Sequence, residues 1–178
     1  MNISFTSNTL VNSTLIDSAT GQVLFELSAS RDHFRIHITL RDAHNTMVGE
    51  YKKGKIGTEV IYRRQTMRVK EWLVKKHWYS STRTFMAHNG KAYEWNSSNQ
   101  LLDSETRELV ASAHRKTRSS GKGMNIDVGS DGLPILDAIV LSFICTHVAR
   151  QQPAAKAANA AIAVAAAAAS SANGVAIG

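Results

Sequence analysis

The clearest pattern along the chain is alternation. Phe34, Ile36, Ile38 and Leu40 alternate with Arg35, His37, Thr39 and Arg41, the two-residue period of a strand with one buried and one wet face. Val23, Phe25 and Leu27 repeat that period in Gln22–Ser28, behind the turn-forming cluster Asp17–Gly21 and the short strand Thr14–Asp17. This stretch predicts a hairpin. Asn2–Thr6, Met47–Lys52, Glu59–Arg63, Met67–Lys70 and Met124–Val128 are further strand candidates. Thr84–His88 and Lys91–Trp95 flank Asn89-Gly90, the strongest short hairpin signal in the chain. Tyr93 and Trp95 alternate in its second arm, where they read as core packing. Leu101–Asp103 and Leu109–His114 bracket a turn over Ser104–Glu108, and Arg115–Gly123 is a polar loop. Glu71–His77 fits a strand and a single helical turn equally.

Leu133–Arg150 breaks the alternation. It is apolar on every side of a helix, with Pro134 suited to a first turn. A helix of that kind is buried in a core or in a bilayer. Its uninterrupted apolar part falls short of the roughly 20 residues a bilayer span needs, and Asp137, Ser142, Thr146 and His147 interrupt it. The many strands before it can bury it, so the reading is a core helix. Asp137 then lies near its N-terminus, where the macrodipole favours a negative charge. A meander of short strands with regular turns predicts a barrel, and threading the helix through it would line that helix with apolar side chains. Closure would also leave no sheet edge open. The expected fold is all-β, a barrel in residues 1–152 wrapped around one buried C-terminal helix at 133–150. Pro153–Gly178 is mostly alanine with Lys156 its only charge. It reads as a low-complexity tail, disordered or a frayed helix.

Charge changes the picture more than composition does. The net charge of +7 comes from 21 basic and 14 acidic residues. Nine of the basic residues lie between Tyr51 and Lys76: Lys52, Lys53, Lys55, Arg63, Arg64, Arg68, Lys70, Lys75 and Lys76. Only Glu59 and Glu71 oppose them, so this stretch carries the whole excess. A concentrated positive stretch suits an anionic surface, and Trp72, Trp78 and Tyr79 beside it suit a lipid interface. The plain alternative is solvated outward positions on strands. Read on one strand, Arg63 and Arg64 face opposite sides, so not all nine can share a patch. The residues chosen as lipid-contacting are Lys52, Lys53, Lys55, Arg63, Lys75 and Lys76. Nucleic acid is disfavoured, because the segment has no recognition helix and no RNA-binding aromatic motif.

Other chemistry is sparse. The single cysteine, Cys145, lies in the apolar helix, where a thiol behaves as a small hydrophobe. The histidines show no metal-ligand spacing. There is no G-x-S-x-G and no phosphate-loop spacing; Ser119–Gly123 has the composition of such a loop without its strand–helix context. No metal, cofactor or catalytic residue is expected. The N-terminus lacks a basic region followed by an apolar run, which predicts an intracellular, cytoplasmic protein, peripheral at a membrane if the basic stretch works as supposed.

The string Arg83-Thr84-Phe85-Met86-Ala87-His88-Asn89-Gly90-Lys91-Ala92-Tyr93-Glu94-Trp95 resembles the R-x-F-x-x-x-x-G-x-x-Y-x-W hairpin of a large fungal family of uncharacterised domains. The later Asp137–Phe143, a D-x-I-V-x-S-F helix, is similar too, as are Thr14–Asp17 with Thr20–Phe25 at the start. The resemblance covers about Asn2–Gln152. It implies the tubby C-terminal fold, shared with plant LURP-one-related proteins and phospholipid scramblases, an about twelve-stranded barrel around a hydrophobic helix. That family has no established activity; phosphoinositide binding belongs to tubby proteins proper, whose binding residues do not align here. The expected function is a non-enzymatic module binding anionic, phosphoinositide-like membrane phospholipid through its basic surface. The alternative is an intracellular protein-interaction domain with no lipid ligand. An enzyme or scramblase-like lipid mover ranks last, since no reactive constellation is visible.

Overall fold

The computed structural model describes residues 1–7, 12–32, 35–115 and 123–148. Phe34, the loop after Arg115 and the alanine-rich tail lie outside the described residues. The described chain forms thirteen strands. β1 is Asn2–Phe5, β2 Ser13–Asp17, β3 Val23–Asp32, β4 Arg35–Asp42 and β5 Met47–Lys53. β6 is Thr58–Tyr62, β7 Gln65–Arg68, β8 Val74–Lys75, β9 Arg83–Met86 and β10 Ala92–Trp95. β11 is Gln100–Asp103, β12 Leu109–Arg115 and β13 Met124–Val128. A four-residue helix, α1, spans Val69–Trp72, so the ambiguous stretch is a helical turn followed by a two-residue strand. After β13 a 3-10 turn, Ser130–Ile135, contains Pro134 and leads into α2 over 136–148. The α-helix proper thus begins three residues later than Leu133, because proline sits comfortably in the tight entry turn that needs no N–H from it.

All thirteen strands form one antiparallel sheet in the order β7-β6-β5-β4-β3-β2-β1-β13-β12-β11-β10-β9-β8. Sequential neighbours pair, and β1 joins β13 through Ile3 opposite Ile126. Strands from across this order touch the same helix. Phe5 of β1 and Trp95 of β10 both pack on Phe143, at 6.2 and 5.7 Å between ring centroids. Trp95 donates its indole N–H to Ser142 Oγ at 2.9 Å, and Tyr62 of β6 donates to Asp137. Gly49 of β5 lies so close that a Cβ there would stand 2.6 Å from Leu141 Cδ2. The sheet therefore curls around α2. Ile135, Ala138, Ile139, Val140, Leu141, Phe143, Ile144 and Cys145 are all buried. Ser130–Val148 is long and apolar enough to cross a bilayer; here the strands cover that apolar surface.

The curl is not closed by hydrogen bonds. β7 and β8 are the two edges of the sheet, whereas a closed barrel would have none. α1 links them along the chain and packs against β6, β7, β8 and β9. Its Trp72, which the sequence suggested for a lipid interface, is buried. The indole lies 5.6 Å from the Tyr62 ring and 5.5 Å from Phe85, and Phe85 lies 5.9 Å from Tyr93. This aromatic row staples β6 to β9 and β10 across the gap, which is why Trp72 is unavailable to any surface.

The up-and-down order fixes two ends. α2 starts at the end that carries the turns after β2, β4, β6, β9 and β11. The other end carries the turns after β3, β5 and β10 and the connection from β8 to β9.

Candidate functional site

Two places concentrate polar and charged groups. The first is the end opposite the start of α2. Lys53 closes β5, paired with Ile36 on one side and Thr58 on the other. Lys55 and the fully exposed Ile56 follow in the turn that Gly54 N–H closes on Gly57 carbonyl at 2.9 Å. Arg68 ends β7 opposite Glu59. Lys75 ends β8 opposite Arg83, the first residue of β9. Between these two strands, residues 76–82 project Lys76, Trp78 and Tyr79; Trp78 is 87% exposed and Tyr79 72%. Tyr79 stacks on His77 at 5.4 Å and meets Trp78 edge-on at 5.6 Å. Register thus brings Lys52, Lys53, Lys55, Lys75 and Lys76 to one end, together with three large exposed apolar side chains.

Lys52 is partly neutralised there. Its ammonium lies 2.6 Å from Glu50 Oε2, and His37 Nε2 lies 3.3 Å from Glu50 Oε1. Burial pushes the Glu50 carboxyl up, but Lys52 and His37 beside it outweigh that and hold it below its ordinary value.

Arg63 does not belong to this patch. Tyr62 pairs with Gln65, so Arg63 and Arg64 form a two-residue hairpin turn at the other end of β6, with φ of 49° and 65°. The expectation that both lie on a strand fails for that reason. Side chains rarely adopt this left-handed conformation. The turn aims Arg63 at the start of α2, where its Nη2 lies 3.3 Å from Asp137 Oδ2.

That contact belongs to the second place, a cluster at the seam. Tyr62 donates its hydroxyl proton to Asp137 Oδ2 at 3.1 Å, and His88 Nδ1 lies 3.0 Å from the same hydroxyl. Asp137 Oδ1 accepts the Ala138 N–H at 2.8 Å. Burial, with Asp137's charge adding to it, pushes the Tyr62 phenol well above its ordinary range. Beside the cluster, a groove of about 640 Å³ opens between the sheet edges, floored by Trp72 and Phe85 and walled by Met67, Val74 and Met86. Asp137 is more than the dipole partner the sequence suggested. It is a hub for β6, the β6–β7 turn and the β9–β10 turn, and contacts across 75 residues of sequence leave no local signal. Among the described residues, no group of three metal-ligating side chains converges.

Comparison with known proteins decides the family. Residues 8–152 match the profile of a family of unknown function, DUF6593. The chain belongs to that family. No curated protein matches it. Among solved structures, it is similar to an X-ray structure of a protein from Arabidopsis thaliana, AT5G01750, at 14% identity and a TM-score of 0.44, over 81% of this chain and 86% of that one.

Proposed function

We propose that this DUF6593 chain is a non-enzymatic module that binds anionic phospholipid at the cytoplasmic face of a membrane, with the end bearing Lys53, Lys55, Lys75 and Lys76 against the lipid. The observation that carries the reading is the mixture at that end: lysines interleaved with the exposed Ile56, Trp78 and Tyr79. Magnitudes explain why both kinds of side chain are needed. A basic residue near an anionic leaflet contributes about 1 kcal/mol. Four give about 4 kcal/mol, equivalent to a dissociation constant of about 1 mM. Insertion of the apolar side chains supplies the rest, at about 25 cal/mol per Å² removed from water. A tubby C-terminal-like assignment of the fold is in keeping with the order of its motifs and its central helix.

Sedimentation with phosphatidylcholine vesicles, with and without phosphatidylserine or phosphatidylinositol bisphosphate, tests the reading. Binding that requires the anionic lipid, weakens steeply with salt and disappears in K53Q/K55Q/K75Q/K76Q supports it. Equal sedimentation with neutral vesicles, or none with any, sinks it. The second reading, an intracellular protein-interaction domain, is favoured by the seam, where two strand edges flank an apolar groove. Its partner binding would persist at high salt.

A further inference from the structure

Arg83 stands out at the basic end. Its register partner on β10 is Trp95 and on β8 is Lys75. Directly opposed residues share a face of a sheet. Trp95 is buried against α2, so Arg83 lies on the inner face near the mouth of the curled sheet, and it is only partly exposed. Its guanidinium has no carboxylate partner among the described residues, and burial alone holds its pKa below the usual arginine value.

The residue directly opposite compounds this. Like charges facing each other across two strands are destabilising, and Lys75 is tied in place: its ammonium donates to the Trp78 carbonyl at 3.2 Å. Two basic residues are thus register partners at the mouth, Lys75 exposed and the Arg83 guanidinium partly desolvated. A charge removed from water without a partner is costly, and the sequence could have avoided it with any neutral strand former. Lys76 follows directly in the chain.

We propose that Arg83 and Lys75 form a seat for a phosphomonoester group at the mouth of the sheet. Arginine presents a planar fork that grips phosphate oxygens in two parallel hydrogen bonds, while lysine adds a point charge. A carboxylate would balance one of the two cations. A phosphomonoester carries nearly two charges and three acceptor oxygens, which matches the pair. The seat rests on the membrane reading above only for the source of the phosphate, a lipid headgroup. Within that reading it separates one geometric contact from the diffuse attraction of Lys53 and Lys55.

The test compares wild type with R83Q, titrated with phosphatidylinositol bisphosphate vesicles, soluble inositol trisphosphate and inorganic phosphate, alongside thermal melts. R83Q is expected to lose about tenfold or more in affinity for both the vesicles and inositol trisphosphate. Its own Tm should be unchanged or higher, because an uncompensated cation is gone; an arginine with a merely structural role would lower it. K53Q/K55Q should weaken the vesicles and leave inositol trisphosphate nearly untouched. If neither chain binds vesicles but inositol trisphosphate raises the Tm of wild type and not of R83Q, the seat stands with a soluble ligand and the membrane reading falls. If R83Q binds every probe as wild type does, the seat is wrong whatever the vesicles do. Should R83Q fail to fold, R83K, which keeps the charge without the fork, decides: a severalfold loss for inositol trisphosphate supports the seat and wild-type affinity overturns it.

Discussion

Glu50 illustrates how one side chain couples stability to surface charge. It sits between His37 and Lys52 on the outer face of β4 and β5, and its folded pKa is held below the ordinary 4.5. A carboxyl whose pKa is lower folded than unfolded stabilises the fold above the unfolded value, and that contribution fades as pH falls through the folded one. Acid melts of wild type should therefore steepen below about pH 4.5, and E50Q should flatten that limb while losing some stability at neutral pH. The same substitution releases Lys52. In the proposed reading, E50Q then binds anionic vesicles more tightly than wild type at neutral pH, although it is less stable. Vesicle sedimentation beside circular-dichroism melts measures both signs, and a variant weaker in both would remove Lys52 from the lipid surface. Lys52 was legible as basic, but its neutralising partner was not. Glu50 precedes the basic stretch in sequence and meets His37 only through strand pairing.

Turns show what a sequence announces and what it conceals. Asn89-Gly90 and Asp17–Gly21 carry residue types that tolerate positive φ, and both make turns, with Gly90 at 78° and Gly21 at 72°. Arg63-Arg64 carries none of those residue types, so the alternation extends the strand to Arg63, one residue past the Tyr62 at which β6 ends. Left-handed backbone costs a non-glycine residue about 1–2 kcal/mol, against about 0.5–1 kcal/mol of extra chain entropy for glycine. Arg64 has φ of 65°, and the contacts with Asp137 are made by Arg63, not by Arg64. R64G should therefore stabilise the fold by about 0.5–1 kcal/mol, read as a higher urea midpoint with an unchanged m-value. An unchanged or lower midpoint would mean that Arg64 makes a compensating contribution of its own. The core helix was legible for the opposite reason: its signal is local. A stretch apolar on all sides needs a lining on all sides, and alternating strands before it could supply one. α1 and β8 were not separable, since elements of four and two residues owe their form to packing at the seam.

At the scale of the whole molecule, the fold sorts the chain's chemistry by end. The start of α2 is held by a cluster in which Asp137 is answered by Arg63, Tyr62 and His88, so charge there is spent internally. The opposite end gathers Lys52, Lys53, Lys55, Lys75 and Lys76 and exposes Ile56, Trp78 and Tyr79. That polarity makes an orientation prediction. The chain has three tryptophans, of which Trp72 and Trp95 are buried and Trp78 is 87% exposed. If the basic end meets the bilayer, anionic vesicles should shift the emission of Trp78 to the blue as its indole leaves water, while the two core indoles keep theirs. In W78F the vesicle-induced shift should vanish while binding is nearly kept, and W78A should lose about 1–2 kcal/mol of affinity with the aromatic insertion. Raising the salt should remove the shift and the sedimentation together, because the lysines hold the indole at the interface. Vesicle binding with no change in Trp78 emission would mean that another face meets the membrane. The lysines and tryptophan could be read from sequence as a basic, aromatic stretch, but their shared end could not. It follows from the direction of β5, the hairpin of β8 and β9 and the seam between β7 and β8, which only the pairing of thirteen strands determines.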